Sequence, residues 1–303
     1  MSELDAKVKK SIERLKTFCP DEGYYLAFSG GKDSVVCKAL LDMANCKYDA
    51  TYRVTSVDPP ELVRFIREKH PDVIREVPRY KDTGKPITMW NLIPKKLLPP
   101  TRIARYCCQA LKEDGGDGRM TVTGVRWAES VNRKKNQGSV VIRNISEKHK
   151  TDDFRMGQRN DSLILVNDST ESRRMIESCY KRHKTVVNPI IEWENRDVWD
   201  FIKANGIPYC ELYDCGFRRL GCIGCPMAGK KQRERDFRTY PKYKKAYLMA
   251  FDKMLKERVR RGKIDGSWRM GTTAKDVFNW WMEYDTLPGQ INLFDNSEFE
   301  ADA

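Results

Sequence analysis

Two stretches of this 303-residue chain carry residue types whose spacing could do chemistry. The first is Ser29-Gly30-Gly31-Lys32-Asp33-Ser34. Adjacent glycines let backbone N–H groups close around an anion, Lys32 adds a mobile cation, and Ser29 and Ser34 add hydroxyl donors, an inventory suited to a pyrophosphate or sulfate group. A bare strand-to-helix turn would account for the glycines but not for the lysine, aspartate and serines beside them. The loop is not a Walker A motif, because Leu26 and Ala27 stand in the region where that pattern needs glycine. The second stretch is Cys222-Ile223-Gly224-Cys225, a spacing that brings two thiolates to one metal. Cys107 and Cys108 are adjacent, and Cys215 precedes the CxxC closely; Cys19, Cys37, Cys46, Cys179 and Cys210 are scattered and read as small core or surface residues. Between these stretches, Arg126, Ser130 and Arg133 follow Gly124 and could either hold a phosphate or sulfate or form a solvated basic loop.

The elements that must position these groups follow from periodicity. Leu4, Val8, Ile12, Leu15 and Phe18 recur at helical spacing after Ser2, predicting a helix that ends before Pro20. Residues 24–28 form a short apolar run, and 33–44 resume a helical pattern, giving strand, glycine turn, helix around the phosphate loop. The alternation continues with a strand over 50–55, a helix over 60–69 with proline in its first turn, and strands over 73–77 and 120–125, the last after a glycine-rich turn. Residues 139–145, 163–166 and 185–191 also read as strands, 198–204 as a helix opened by Asn195, and 241–261 as a long basic helix. Such alternation predicts an α/β fold with a parallel, doubly wound sheet, whose ligand edge lies beyond the carboxyl ends of the strands. On that edge stand both the Ser29–Ser34 loop and, after the strand ending at Gly124, Arg126.

Composition narrows the class. The net charge is +13, with 33% charged and 40% hydrophobic residues, which describes a folded protein and excludes fibrous and disordered classes. No apolar run approaches membrane-spanning length, and the first 18 residues are too charged for a signal peptide, so a cytoplasmic location without membrane attachment is expected. In that compartment clustered cysteines point to metal or thiol chemistry and away from a disulfide framework. The densest basic run, Lys230, Lys231, Arg233, Arg235, Arg238, Lys242, Lys244 and Lys245, is interleaved with Phe237, Tyr240, Tyr243 and Tyr247. It suits either a nucleic-acid backbone and its bases or a solvated helix face. Trp193, Trp199 and the pair Trp280-Trp281 read as packing residues. With three histidines, His70, His149 and His183, a histidine-centred mechanism is not expected. The acidic last ten residues read as a frayed tail.

The run Ala27 to Ser34 resembles the PP-loop of the adenine-nucleotide alpha hydrolases, and specifically the phosphoadenosine phosphosulfate (PAPS) reductase family. Further segments match in the same order: Arg105-Tyr106-Cys107-Cys108-Gln109-Ala110-Leu111-Lys112; Gly124-Val125-Arg126-Trp127-Ala128-Glu129-Ser130 with Arg133; and Leu212-Tyr213-Asp214-Cys215-Gly216 running into Gly221-Cys222-Ile223-Gly224-Cys225-Pro226. The texture is similar to the phage and prophage branch and to DNA-phosphorothioation enzymes. The resemblance implies a PP-loop (HUP-like, Rossmann-like) nucleotide-binding domain over residues 1–205. A metal-cluster (CxxC) segment and a helical basic region would occupy 206–303. It implies ATP, or else adenylyl sulfate or PAPS, on Ser29, Gly30, Gly31, Lys32, Asp33 and Ser34, with Arg126 and Arg133, and secondarily Ser130, at the nucleotide's anionic end. Lys32 would neutralise leaving pyrophosphate, Asp33 would help hold Mg, and Arg126 would steady the remaining anion.

For the cysteines the resemblance implies a 4Fe-4S cluster on Cys107, Cys108, Cys222 and Cys225. Cys215 is an alternative fourth ligand, and zinc or simple core packing are alternative readings. One departure matters: reductases of the family attack sulfate sulfur with a cysteine near the C-terminus, and no cysteine follows Cys225 here. The expected activity is therefore ATP cleavage between the alpha and beta phosphates coupled to sulfur transfer, with nucleic acid as acceptor and a cysteine desulfurase as an example of the sulfur donor. Alternatives are a sulfonucleotide reductase and a non-catalytic phage nucleic-acid-binding module.

Overall fold

Tyr24–Ala27 (β1) is an apolar run that leads, through the glycine loop, into the Lys32–Met43 helix. The computed structural model describes residues 2–113, 115–116, 118–143, 153–157, 162–166, 174, 176, 183–264 and 271–283. Lys148 to Lys150, Cys179 and the acidic tail lie outside the described residues.

The chain divides into two compact units interleaved in sequence. One comprises Met1–Val54, Pro59–Glu76 and Asp114–Gly221; the other comprises Thr55–Asp58, Val77–Glu113 and Cys222–Ala303. This grouping differs from the single cut after residue 205 expected from the sequence. Thr55–Asp58 and Val77–Glu113 group with the chain that follows Cys222, a long-range association that local patterning does not encode.

The first unit is built on one sheet. After β1 come β2 (Tyr48–Arg53), β3 (Ile74–Glu76), β4 (Thr121–Val122), β5 (Val140–Arg143), β6 (Phe154–Met156), β7 (Ser162–Leu165) and β8 (Thr185–Val187), in the order β3-β2-β1-β4-β8-β5-β7-β6. Strands β3, β2, β1, β4 and β8 are parallel, with Leu26 opposite Ala50 on one side and Val122 on the other. Helices Lys32–Met43 and Pro60–Lys69 make the first crossovers, as the alternation predicts. Beyond β8 the sheet continues antiparallel through β5, β7 and β6, so the α/β class holds while one edge departs from an all-parallel sheet. β6 escapes a pattern search because it is three residues long with Arg155 in the middle. The Glu3–Thr17 helix opens with a capping box between Ser2 and Asp5. Its Ser11 donates to the Pro189 carbonyl and accepts from buried Trp193, which is the packing role expected for that tryptophan.

The second unit is helical: Met89–Lys96, Lys230–Thr239, Pro241–Arg260 and Ala274–Trp281. Its core is aromatic, with Tyr247 and Trp281 rings 4.7 Å apart and Phe237 edge-on to Tyr247 at 5.7 Å. Trp281 also donates its indole N–H to the Pro100 carbonyl at 2.7 Å. Phe237, Tyr240 and Tyr247 are buried here, and Tyr243 gives its hydroxyl to the Asp58 carbonyl. Three of the four aromatic residues between the cations therefore form core, and the half-buried Tyr243 is held by its hydroxyl, which corrects the reading of this run as a base-stacking platform. Helical periodicity explains the difference, since it turns the aromatic positions inward and most of the lysines outward.

Candidate phosphate loop and cysteine site

At the carboxyl end of β1 the chain must reverse direction sharply to start a helix. Gly30 does so with φ +72°, and a Cβ there would approach Ile66 and Leu62 side-chain atoms to 2.8 Å, so glycine is required on two counts. Gly31 is the N-cap of the Lys32–Met43 helix and has no side chain to cap it. The loop is tied to itself by hydroxyls: Ser34 Oγ donates to the Gly31 carbonyl at 2.8 Å and accepts from the Ser29 N–H at 3.3 Å, and Gly31 N–H reaches Ser29 Oγ at 3.4 Å. Tyr213 adds its phenol oxygen, which accepts the Lys32 N–H at 2.9 Å. No hydrogen bond among the described residues occupies the Gly30 or Asp33 N–H. A helix N-terminus with unoccupied N–H groups favours an anion.

The charges around this loop are arranged in a chain. Lys32, 5% exposed, donates to Asp33 Oδ2 at 3.0 Å, and Arg126, 3% exposed, donates from Nε to Asp33 Oδ1 at 2.8 Å and from Nη1 to the Trp193 carbonyl at 3.3 Å. Gly124 makes this approach possible, because a Cβ there would lie 2.8 Å from Asp33 Cβ and 2.9 Å from its carbonyl carbon. Arg133 pairs with Glu129, which also accepts the Arg126 N–H at 3.3 Å, and burial pulls the Arg133 guanidinium below its ordinary pKa. Ser130 caps the short Val131–Asn136 helix by accepting the Arg133 N–H at 3.2 Å.

The structure thus brings Ser29, Gly30, Gly31, Lys32, Asp33, Ser34 and Arg126 together. Arg133 joins them through Glu129, and Ser130 caps the turn that carries Arg133. Lys32 is a buried, paired cation and not the exposed one its place in a glycine loop suggests. Both Asp33 oxygens accept from cations, a donor set that does not fit a resident Mg ion. Tyr213 lay within a quoted motif, but nothing in its spacing marked it as a loop partner.

The cysteine site belongs to the second unit. Residues 222–225 form a turn in which Cys225 N–H donates to the Cys222 carbonyl at 3.2 Å and Ile223 N–H joins the Val57 carbonyl at 2.8 Å. Gly224, at φ +69°, gives its N–H to Asp236 Oδ2 at 3.0 Å and is packed so closely on Phe237 that a Cβ would come within 2.4 Å of it. Opposite, Tyr106–Cys108 is a single helical turn that widens into a π-helix over Gln109–Glu113, an irregularity frequent at functional sites. A hydrogen bond from the Cys107 thiol to Cys108, burial, and the charges of Cys222 and Cys225 all push the Cys107 pKa up. Cys108, accepting from Cys107 and from Arg105, is held below the ordinary thiol range. Burial pushes Cys222 up to about 12, opposed by the Lys112 ammonium beside it. The sequence marked Lys112 and Arg105 only as motif members, and the structure sets each against a thiol.

Four cysteines from two distant segments therefore share one neighbourhood, with cations beside them. Their type fits an iron-sulfur cluster. Among the described residues, however, no group of three or more His, Cys, Asp or Glu stands in position to hold a metal ion. Cys215 is exposed and belongs to the first unit. Among the described residues no helix is long and apolar enough to cross a membrane.

Comparison with known proteins follows the same lines. A model of the phosphoadenosine phosphosulfate reductase domain matches residues 23–228. An uncharacterized protein of Methanocaldococcus jannaschii is 25% identical over 240 residues, covering 77% of this chain and 50% of that protein. A second uncharacterized protein of the same organism is 21% identical over 283 residues, 90% of this chain and 48% of its own length. The chain spans about half the length of these curated relatives. An adenosine 5'-phosphosulfate reductase of Oceanobacillus iheyensis is 48% identical over 46 residues, 15% of this chain and 19% of that enzyme. Among solved structures, PAPS reductase from Candida auris aligns with a TM-score of 0.41 at 16% identity, over 73% of this chain and 96% of its own. With the matched region covering more than half of its residues, the chain belongs to the phosphoadenosine phosphosulfate reductase domain family.

Proposed function

We propose that the chain is an enzyme that holds an adenine nucleotide on the Ser29–Ser34 loop and cleaves ATP between its alpha and beta phosphates, activating an acceptor for sulfur transfer. The observation that carries this reading is the loop itself: a glycine at positive φ, a helix N-terminus, N–H groups of Gly30 and Asp33 without a partner among the described residues, and the Lys32 ammonium behind them. An acceptor oxygen attacks the alpha phosphorus, the bond to the bridging oxygen breaks, and pyrophosphate leaves with its new charge facing Lys32 and the loop N–H groups. Arg126 keeps Asp33 in place, and Asp33 in turn orients Lys32. The persulfide of a donor such as a cysteine desulfurase then attacks the activated acceptor and displaces AMP, and a thiol reductant supplies the two electrons that cleave the resulting S–S bond and leave sulfur on the acceptor.

Cys107, Cys108, Cys222 and Cys225 would hold a 4Fe-4S cluster, which when bound supplies a redox-active centre that can also ligate sulfur. Nucleic acid is the proposed acceptor. Lys230, Lys231, Arg238, Lys242, Lys244 and Lys245 are exposed on two successive helices, a density of cations that suits a phosphate backbone. A sulfonucleotide reductase is the competing reading, favoured by the short, strongly matching segments of adenosine 5'-phosphosulfate reductases. Incubating purified protein with ATP decides between them: pyrophosphate release is expected, whereas tight adenylyl sulfate binding without ATP turnover would establish the reductase instead.

A further inference from the structure

Arg233 is a cation in an unusual place. It is 2% exposed, and its Nε and Nη2 find no hydrogen-bond partner among the described residues. The Trp281 ring covers its guanidinium at 4.3 Å from the centroid. A cation–π contact compensates only in part for burying a guanidinium, and buried N–H groups of a cation left without an acceptor are unfavourable. Leucine or methionine would fill the same volume at no such cost, so packing alone does not account for the residue.

Its position on the Lys230–Thr239 helix shows what could compensate it. Asp236 and Phe237 lie three and four residues on, hence on the same face. Asp236 accepts the Gly224 N–H, and Phe237 packs on Gly224. The face that carries Arg233 is therefore the one set against the Cys222–Cys225 turn. Asp236 itself is engaged with Gly224 and with the Gln232 amide. Of the other groups that act on Arg233, burial disfavours its charge most; Glu283, Tyr247 and Cys225 favour it and Arg102 opposes it. Glu283 is exposed and accepts no hydrogen bond from Arg233 Nε or Nη2.

We propose that Arg233 is the internal counter-cation of the four-cysteine site, compensated by the net negative charge of an iron-sulfur cluster on Cys107, Cys108, Cys222 and Cys225. This rests on the cluster reading given above. Arg105 and Lys112 stand beside the thiols on the Cys107–Cys108 side. Arg233 supplies the cation on the CxxC side, from a helix that begins after the residues matched by the family. A cation there stabilises the reduced, more negative cluster over the oxidised one and so raises its midpoint potential.

The test uses the full chain purified anaerobically, with iron and acid-labile sulfide measured first. In Arg233→Met the midpoint potential is expected to shift negative and the melting temperature of the loaded protein to fall. The chelator-stripped variant should be as stable as stripped wild type or more so, because an uncompensated buried charge is gone. Arg233→Lys should recover most of the potential. An unchanged potential in Arg233→Met would overturn the proposal, as would equal loss of stability in the loaded and stripped states, which marks a packing residue. If the stripped protein does not fold, the potential alone decides. Wild-type protein without iron and sulfide would instead refute the cluster reading beneath it.

Discussion

Lys32 and Arg126 converge on Asp33 at 3.0 and 2.8 Å, so each buried charge of the phosphate loop meets its opposite before any ligand arrives. Arg233, beside the cysteine turn, has two buried nitrogens, Nε and Nη2, without an acceptor among the described residues. Both regions use glycines to bring backbone close, at Gly30 and Gly124 in one and at Gly224 in the other. They differ in whether their electrostatics close without a guest. The loop is tied together by serine hydroxyls and a tyrosine oxygen. The cysteine site sets thiols beside Arg105 and Lys112 and keeps buried arginine nitrogens without an acceptor among the described residues. A preorganised anion site should bind without loss of fold when empty, whereas a site with uncompensated charge should depend on its ligand for stability.

That contrast can be broken most visibly at Cys222. If the four cysteines hold the proposed cluster, Cys222→Ser is expected to lose nearly all iron and visible absorption and to melt well below wild type, because a cluster there would tie together segments far apart in the chain. Metal analysis with thermal melting checks this, and a stable, coloured variant would end the contrast. A smaller effect is expected at Gly124→Ala, where the new methyl group must displace Asp33 Cβ and backbone; overpacking of this kind costs about 1–3 kcal/mol, read by denaturant unfolding. The loss should be accompanied by weaker nucleotide binding, since Asp33 carries Lys32.

The smallest effect concerns the frame behind the loop. Burial alone would raise the Glu192 carboxyl, but bonds from Arg14 at 2.8 and 3.0 Å and from Lys10 hold it at about 2, below its usual 4.5. A depressed carboxylate contributes stability that is present above pH 4.5 and lost as pH falls toward 2. Glu192→Gln should therefore cost about 1 kcal/mol at neutral pH, and the gap from wild type should close across that acid window in unfolding titrations.

Much of the first unit was legible. The Pro60–Lys69 helix has its predicted limits because proline fixes its first turn and the apolar stripe of Leu62, Phe65 and Ile66 fixes its face. The phosphate loop was legible for the same local reason, since glycines between an apolar run and a helical pattern leave few alternatives. What escaped detection was decided at long range. That β5, β6 and β7 extend the sheet antiparallel, that Thr55–Asp58 groups with the chain beyond Cys222, and that Tyr213 caps the Lys32 N–H are contacts between segments far apart in sequence. The basic run shows the limit most clearly. Composition counted Arg233 among its solvent-facing cations, while the helix turns that one residue inward with Phe237. Arg126 is comparable: an arginine after a strand suggests a ligand contact, and the fold spends two of its nitrogens on Asp33 and the Trp193 carbonyl.

The claim that the Ser29–Ser34 loop is a preorganised receptor for nucleotide phosphates is tested most directly by titrating ATP into wild type and Lys32→Ala by calorimetry. Asp33 keeps its bond from Arg126 in the variant, so the fold should persist, with an unchanged circular dichroism spectrum. Loss of a charged hydrogen-bond donor is worth about 1.5–3 kcal/mol, so binding should weaken by roughly 10- to 100-fold. Equal ATP affinity in the two folded proteins would contradict the account.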